Sequence, residues 1–160
     1  MDYFQGVVTE FLRADRATFV NTEYLLQLDQ GEQHQKGRHW FCDAVAVNHK
    51  AKRVDLCEVT YSTTLQSLME RLQAWSTHWE AVVAAIHRDS HLQGTWEVRP
   101  HIFLPQVRLD TLNRKLSAIK HPAEGKAPMP KPEVTFLEDV APWKYRSWNG
   151  KAYATAPSDA

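Results

Sequence analysis

Apolar residues near the start of the chain recur at the spacing of one helix face, which predicts an amphipathic first helix. Asn21 then precedes 22–26, and we interpret it as the cap of a second short turn or of a continuation of that helix. The polar segment 29–37 contains glycine and is predicted to be a loop. The residues of the first apolar stripe are Phe4, Val7, Val8, Phe11 and Leu12.

Further along, two segments are rich in β-branched and aromatic residues, 39–47 and 53–61. The polar stretch 48–52 between them predicts the turn of a β-hairpin. Two later segments of the same character, 96–104 and 133–137, predict a third strand and a short final strand. The chain therefore alternates between helical and strand patterns.

A long helix is predicted after the hairpin, begun by Ser62, Thr63 or Thr64, and Thr63 with Gln66 fits the capping-box pattern. Asp110 is predicted to cap a shorter helix. The resulting order predicts a mixed α/β fold in which helices flank one central sheet. The stripe of the long helix is Leu65, Leu68, Met69, Leu72, Trp79, Val82, Val83 and Ile86.

The length of 160 residues fits one domain, which we place at 1–150, followed by a flexible tail at 151–160. Nineteen basic side chains balance nineteen acidic ones, so any contact with nucleic acid must come from a local patch. Two cysteines cannot form a disulfide framework, and no segment has the length of a membrane span or the pattern of a secretion signal. These features predict a cytoplasmic protein without membrane association.

The hairpin carries the most informative chemistry. A turn at 49–52 makes Asn48 face Arg53, and continued pairing puts Asp43 directly opposite Glu58. Opposed residues of an antiparallel pair lie about 5 Å apart and point to one face. A slip of one residue in the register would move Glu58 to the other face. The predicted companions on the shared face are Phe41, Val45, Val47, Val54 and Leu56.

Two carboxylates side by side on an apolar surface repel each other unless one is protonated or a cation lies between them. A basic side chain could supply that charge, and so could a metal ion. Mg²⁺ or Mn²⁺ suits this arrangement, because these ions bind one or two carboxylates and keep water and phosphate as further ligands. The alternative is that Asp43 and Glu58 are surface acids paired with nearby basic residues such as Arg53.

A carboxylate in one strand, a hairpin, a Glu-x-Lys motif in the next strand and then a long helix is the pattern of PD-(D/E)XK nucleases. The chain resembles this restriction-endonuclease-like superfamily through Asp43 and the run Glu58-Val59-Thr60, over residues 1–105. The resemblance implies that Asp43 and Glu58 bind the metal ion that activates water against a phosphodiester. It also implies a Glu on the first helix, for which Glu10 is the candidate, with Asp15 and Glu23 as alternatives.

The chain departs from this pattern at Thr60, where the superfamily has lysine. A hydroxyl cannot supply the positive charge that the lysine offers in the transition state. Either a cation reaches the site from elsewhere, with Arg71 on the long helix as the candidate, or cleavage is weakened or lost. Some members use a Gln on this helix, and Gln73 matches that position.

A final patch alternates aromatic and basic residues, and Lys144, Arg146 and Trp148 in it are candidates for binding nucleic acid. An edge strand that packs its aromatic side chains on the core is the alternative. Zinc lacks suitable Cys and His spacing, and no glycine-rich phosphate loop is present.

Two functions follow from these observations. The first is a metal-dependent nuclease-like domain that hydrolyses DNA and uses Mg²⁺ or Mn²⁺. The second is a non-catalytic module of the same fold that binds nucleic acid or a protein, including a second copy in a homodimer.

Overall fold

The computed structural model describes residues 1–29 and 37–144. The helices are α1 (Tyr3–Arg13), α2 (Gln66–Thr77), α3 (Trp79–Ser90) and α4 (Leu109–Leu116), and the strands are β1 (Thr18–Gln27), β2 (His39–Asn48), β3 (Arg53–Val59), β4 (Glu97–Leu104) and β5 (Glu133–Phe136). Short 3₁₀ turns lie at Gln106–Arg108, Leu137–Asp139 and Pro142–Lys144.

The strands form one mixed sheet in the order β1-β2-β3-β4-β5. The first three pair antiparallel, and β4 and β5 join β3 in parallel orientation. The predicted mixed α/β fold is therefore confirmed. Asn48 pairs with Arg53, as the hairpin register requires, so the predicted turn is also correct.

Both faces of the sheet are covered. On one face, Val8 and Leu12 of α1 pack against Ala44, Cys57 and Phe103. On the other, α2 and α3 bury the larger cluster, which includes the fully buried side chains Leu26, Val54, Leu56, Leu72, Trp75 and Ile102. β3 lies at the centre of this arrangement, so its side chains point alternately into the two hydrophobic clusters.

The single long helix predicted after the hairpin is wrong in one respect, because it is two helices. His78 ends α2 and precedes α3 with φ −115° and ψ 26°, which are not helical angles. The apolar stripe continues across this break, since Trp75 and Trp79 are both buried. A stripe that continues through a bend looks like one helix in the sequence.

Three predicted caps are also corrected. Asn21 lies inside β1 and not at a helix start, because the alternating side chains of 18–27 pair with β2. The residue preceding α2 is Leu65, which makes no side-chain cap and adopts a left-handed φ of 57° while fully buried. Asp110 lies within the first turn of α4, where its negative charge still suits the helix dipole.

The polar loop predicted at 29–37 and the tail predicted at 151–160 lie almost entirely outside the described residues. Within 1–29 and 37–144, every helix is too short or too polar to cross a bilayer.

The packing of α2 on the sheet gives the first testable prediction. Leu72→Ala removes a fully buried side chain and should lower the free energy of unfolding by about 2–5 kcal/mol, through lost burial and the cavity left behind. Val107→Ala, at a residue that is 75% exposed, should change it by less than about 0.5 kcal/mol. Urea unfolding followed by circular dichroism measures both. Equal losses in the two variants would contradict this packing.

Candidate functional site

Asp43 and Glu58 occupy neighbouring positions in β2 and β3. The antiparallel ladder runs from Asn48 and Arg53 to Ala44 and Cys57, and the next pair in this register is Asp43 and Glu58. At that point a side chain replaces the regular ladder, because the backbone N–H of Val59 donates to Oδ2 of Asp43 at 2.7 Å. The two carboxylates therefore meet where the ladder ends.

Asp43 is anchored from both the sheet and α1. Its second oxygen, Oδ1, accepts a hydrogen bond of 2.7 Å from Nε2 of Gln5, in the first turn of α1. Gln5 also completes a capping box with Asp2, which orients the start of this helix. The capping-box spacing is visible in the sequence, whereas the contact with Asp43 spans 38 positions and depends on how α1 lies across the sheet.

The strand backbone is irregular beside Asp43. Glu23, between the β1 residues that pair with Ala44 and Cys42, has φ 51°, a left-handed angle that is uncommon for residues other than glycine. The alternation of side chains changes here, since Cys42 packs with the α2 and α3 cluster and Ala44 with the α1 cluster. Regular alternation along the strand predicts that Phe41 shares the buried face of Val45. Phe41 is instead 52% exposed, so this part of the prediction is wrong. Such local strain is common at functional sites.

Glu58 is buried and is held by a cation from α2. Nη1 of Arg71 donates to both carboxylate oxygens of Glu58, at 2.9 Å and 2.8 Å. The same nitrogen donates to the carbonyl oxygen of Phe41 at 2.9 Å. Arg71 lies three residues after Leu68 and four before Trp75, so the buried stripe of α2 aims it at the carboxylate pair. Arg71 is thus the cation at this site.

The electrostatics reflect a buried acid, Glu58, beside a half-buried acid, Asp43. Burial raises the pKa of Glu58 to about 8, and the negative charge of Asp43 adds to this rise while Arg71 opposes it. Burial also raises the pKa of Asp43, against the lowering effects of the Val59 N–H and of Arg71. Both carboxyl groups therefore hold protons more tightly than they would in water, and a bound cation would compete with those protons.

Two adjacent carboxylates are a donor set that fits Mg²⁺ or Mn²⁺, which need few protein oxygens. Asp43 and Glu58 would hold the ion. Across the part of the chain that is described, no group of three or more His, Cys, Asp or Glu side chains is arranged around a common point. Water and substrate oxygens would have to supply the remaining ligands.

The other predicted residues of this site lie at varying distances from the carboxylates. Thr60 is two residues beyond Glu58, its N–H bonds the carbonyl of Phe103, and its hydroxyl accepts from Ser62. Glu10 is exposed on α1 and forms an ion pair with Arg13. Gln73 bonds the backbone of Lys120 through both ends of its amide. The structure thus brings together Asp43, Glu58 and Arg71 but not Glu10 or Gln73.

The predicted C-terminal patch is only partly described. Lys144 ends a 3₁₀ turn and is exposed. Arg146 and Trp148 lie outside the described residues. The stacking surface inferred from these residues remains a prediction.

A second polar cluster lies on the α1 face of the sheet. The sequence pattern did not predict it. Asp55 is buried beside two arginines, with Nε of Arg99 at 2.9 Å and Nε of Arg53 at 3.2 Å. His101 stands 3.5 Å from Asp55 through Nδ1 and 2.8 Å from the hydroxyl of Thr135 through Nε2. We call these residues the Asp55 network.

This network borders a cavity of about 350 Å³ near the C-terminal end of α1. Burial raises the pKa of Asp55, but the hydrogen bonds and charges of His101, Arg99 and Arg53 outweigh burial and lower it overall. The sequence signal was present as alternating charged residues in the third and fourth strands. Only the parallel pairing of β3 with β4, which sets Asp55 opposite Arg99, brings them together.

Comparison of the chain with models of known protein families gave no match, and neither did comparison with curated protein sequences. The fold and the two ionic clusters therefore carry the functional argument by themselves.

The Asp55 network predicts how stability depends on pH. Because the pKa of Asp55 is below its ordinary 3.8 in the folded state, the unfolded chain takes up a proton first as the pH falls, and stability declines below about pH 4. Asp55→Asn should lower the free energy of unfolding at pH 7 by about 3 kcal/mol, because two arginines lose a buried partner. Its acid decline should be shallower than that of the wild type. Urea unfolding from pH 3 to pH 7 measures both.

Glu124→Gln, at an exposed loop residue, is the control and should follow the wild-type pH profile. An Asp55→Asn profile parallel to the wild type would mean that Asp55 does not contribute to the acid decline.

Proposed function

We propose that the protein is a metal-dependent nuclease that hydrolyses DNA phosphodiester bonds, with Asp43 and Glu58 as ligands of Mg²⁺ or Mn²⁺. The observation that carries this proposal is the meeting of the buried carboxylate of Glu58 with the half-buried carboxylate of Asp43 at the end of the β2–β3 ladder. Burying acids together is costly, and a site that raises the pKa of both is typical of catalysis or of cation binding.

The order of elements supports the resemblance to PD-(D/E)XK nucleases. That resemblance implies a leading helix, a hairpin with one carboxylate in each strand, a long helix and a following strand. Here α1 precedes the β2–β3 hairpin, and α2 with α3 precedes β4. Membership of the superfamily remains part of the proposal.

Arg71 can supply the positive charge that Thr60 lacks. A metal ion bound by the carboxylates would lower the pKa of a water molecule and stabilise charge on the scissile phosphate. The superfamily adds a lysine charge next to the Glu, and in this chain the guanidinium of Arg71 lies against the same Glu58 carboxylate. A guanidinium binds phosphate oxygens well, so Arg71 is suited to orient a phosphodiester at this site.

Exposed aromatic side chains near the carboxylates favour nucleic acid as the partner. Tyr61 follows Glu58 by three residues, is 54% exposed and lies with its ring centre 5.0 Å from that of Phe4. Phe4 packs in turn against Tyr3, which is 77% exposed. Phe4 precedes Gln5, the residue that holds Asp43. Bases can stack on such surfaces, each contributing about 1–3 kcal/mol.

Calorimetric titration with Mn²⁺ tests the metal site. The wild type should bind Mn²⁺ saturably, and Asp43→Asn/Glu58→Gln should abolish this binding, because both anionic ligands are lost while shape is kept. Glu10→Gln, which removes an exposed acid, is the matched control and should bind as the wild type does. Cleavage of single- and double-stranded DNA in Mg²⁺ should follow the same ranking.

A folded wild type that binds no Mn²⁺ and cleaves no DNA would reject the nuclease proposal.

The second candidate function is a non-catalytic module that binds nucleic acid or a protein, including another copy of the chain. One observation favours it: Arg71 already places a positive charge on Glu58, so a metal ion is not required to offset that carboxylate. Absence of the motif lysine at Thr60 points in the same direction.

This alternative makes a separate prediction. Binding of a fluorescent single-stranded oligonucleotide should persist in EDTA and in Asp43→Asn/Glu58→Gln, because the carboxylates contribute nothing to it. Tyr61→Ala should weaken this binding by about fivefold or more, through loss of one stacking surface. Fluorescence anisotropy measures the affinities, with Val107→Ala as the control at an exposed apolar residue far from these aromatic rings in sequence. Binding that requires Mn²⁺ would exclude this alternative.

A further inference from the structure

One nitrogen of Arg71 makes all the hydrogen bonds of this guanidinium within the described part of the chain. Nη1 donates to Oε1 and Oε2 of Glu58 and to the carbonyl oxygen of Phe41. Nη2 and Nε donate to no described group, and the side chain is 29% exposed. The guanidinium thus binds the carboxylate through Nη1 alone. Its Nη2 and Nε donors can still bind an oxygen atom of another ligand.

The hydrogen bonds of Arg71 occupy the Glu58 oxygens that a metal ion would need. Arg71 Nη1 contacts both oxygens of Glu58, whereas each oxygen of Asp43 already accepts one hydrogen bond from Gln5 or Val59. A divalent cation bound between the two carboxylates would need at least one Glu58 oxygen and would put a like charge beside the guanidinium. Close like charges in a site of low dielectric repel strongly. The two cations therefore compete for Glu58.

Competition of this kind couples the metal ion to the phosphate. A metal ion that takes the Glu58 oxygens leaves Arg71 without its anionic partner, and a partly buried guanidinium is stabilised by another anion. The nearest anion in the proposed reaction is the phosphodiester. The backbone of α2 is held by its buried residues Leu68, Leu72 and Trp75, so only the side chain of Arg71 needs to turn.

We propose that Arg71 is an internal counter-ion that closes the carboxylate pair, is displaced from Glu58 by a divalent cation, and then binds a phosphate of the substrate. This inference rests on the proposed metal site and adds its regulation. Metal and nucleic acid would then bind with positive coupling, since each favours the state in which Arg71 has left Glu58. Arg71 is a positioning residue in the closed state and a substrate-binding residue in the open one.

Mn²⁺ titration of Arg71→Met tests the competition directly. Methionine supplies an apolar, unbranched side chain without the charge, so the affinity for Mn²⁺ should rise by roughly tenfold over the wild type. Arg71→Lys, which keeps a charge, should remain close to the wild type. Arg114→Met, at an exposed arginine of α4, is the control for a change in overall charge.

A second measurement covers the displacement itself and does not require Arg71→Met to fold. The side-chain ¹H–¹⁵N signal of Arg71 in the wild type should shift on addition of Mg²⁺ and shift again on addition of a single-stranded oligonucleotide. In Asp43→Asn the Mg²⁺-dependent shift should be lost. In the wild type, oligonucleotide affinity should increase with Mg²⁺.

The outcomes separate this inference from the nuclease proposal. Tighter Mn²⁺ binding by Arg71→Met with a metal-dependent Arg71 signal supports both. Saturable Mn²⁺ binding that Arg71→Met leaves unchanged or weakens, or an Arg71 signal that ignores Mg²⁺, overturns the counter-ion while keeping the metal site. No Mn²⁺ binding by the wild type or by Arg71→Met overturns both.

Discussion

The organisation of this protein depends on the cost of burying the carboxylate of Glu58 at the centre of a five-stranded sheet. A buried acid needs a proton or a nearby positive charge, and a helix packed on that face is the nearest source of one. Arg71 of α2 supplies it. The same contact ties α2 to the end of β3, so the packing of the helix and the electrostatics of the carboxylate pair cannot be changed independently.

β3 carries two ionic sites on opposite faces. Asp55 points toward α1 with Cys57, and Glu58 points toward α2 with Leu56. The two acids are three positions apart, which corresponds to about 10 Å along a strand. The two pKa values shift in opposite directions. The hydrogen bonds and charges around Asp55 lower its pKa, whereas burial, reinforced by the charge of Asp43, raises the pKa of Glu58. One acid is held ionised as part of the fold, and the other binds a proton more readily and is paired with Arg71.

The degree to which the site could be predicted varies between residues. The opposition of Asp43 and Glu58 followed from the length of the turn, because a hairpin register is set by local geometry. Arg71 could be named as the candidate cation because it is the nearest basic residue along the sequence on the helix that follows Glu58. Glu10 and Gln73 were placed by analogy with a family motif, and their contacts with Arg13 and Lys120 depend on packing that the motif does not encode. Gln5 and His101 contact Asp43 and Asp55, which are far from them in the sequence, so local patterns do not predict these contacts.

The sequence by itself determined most of the alternation of helix and strand and the register of the β2–β3 hairpin, from which the adjacency of the two acids follows, because these depend on local patterns and on the length of one turn. Strand β1 was not among them, since the pattern at 22–26 favours a helical turn or a continuation of the first helix. The tertiary structure alone decided the bend at His78, the left-handed backbone at Leu65 and the irregularity of β1 and β2 beside Asp43. In each case the backbone adopts a locally unfavourable conformation, and the burial of side chains against the sheet offsets that cost. It also decided which cations meet which acids, since the pairing of β3 with β4 and the placement of α2 join residues far apart in the chain.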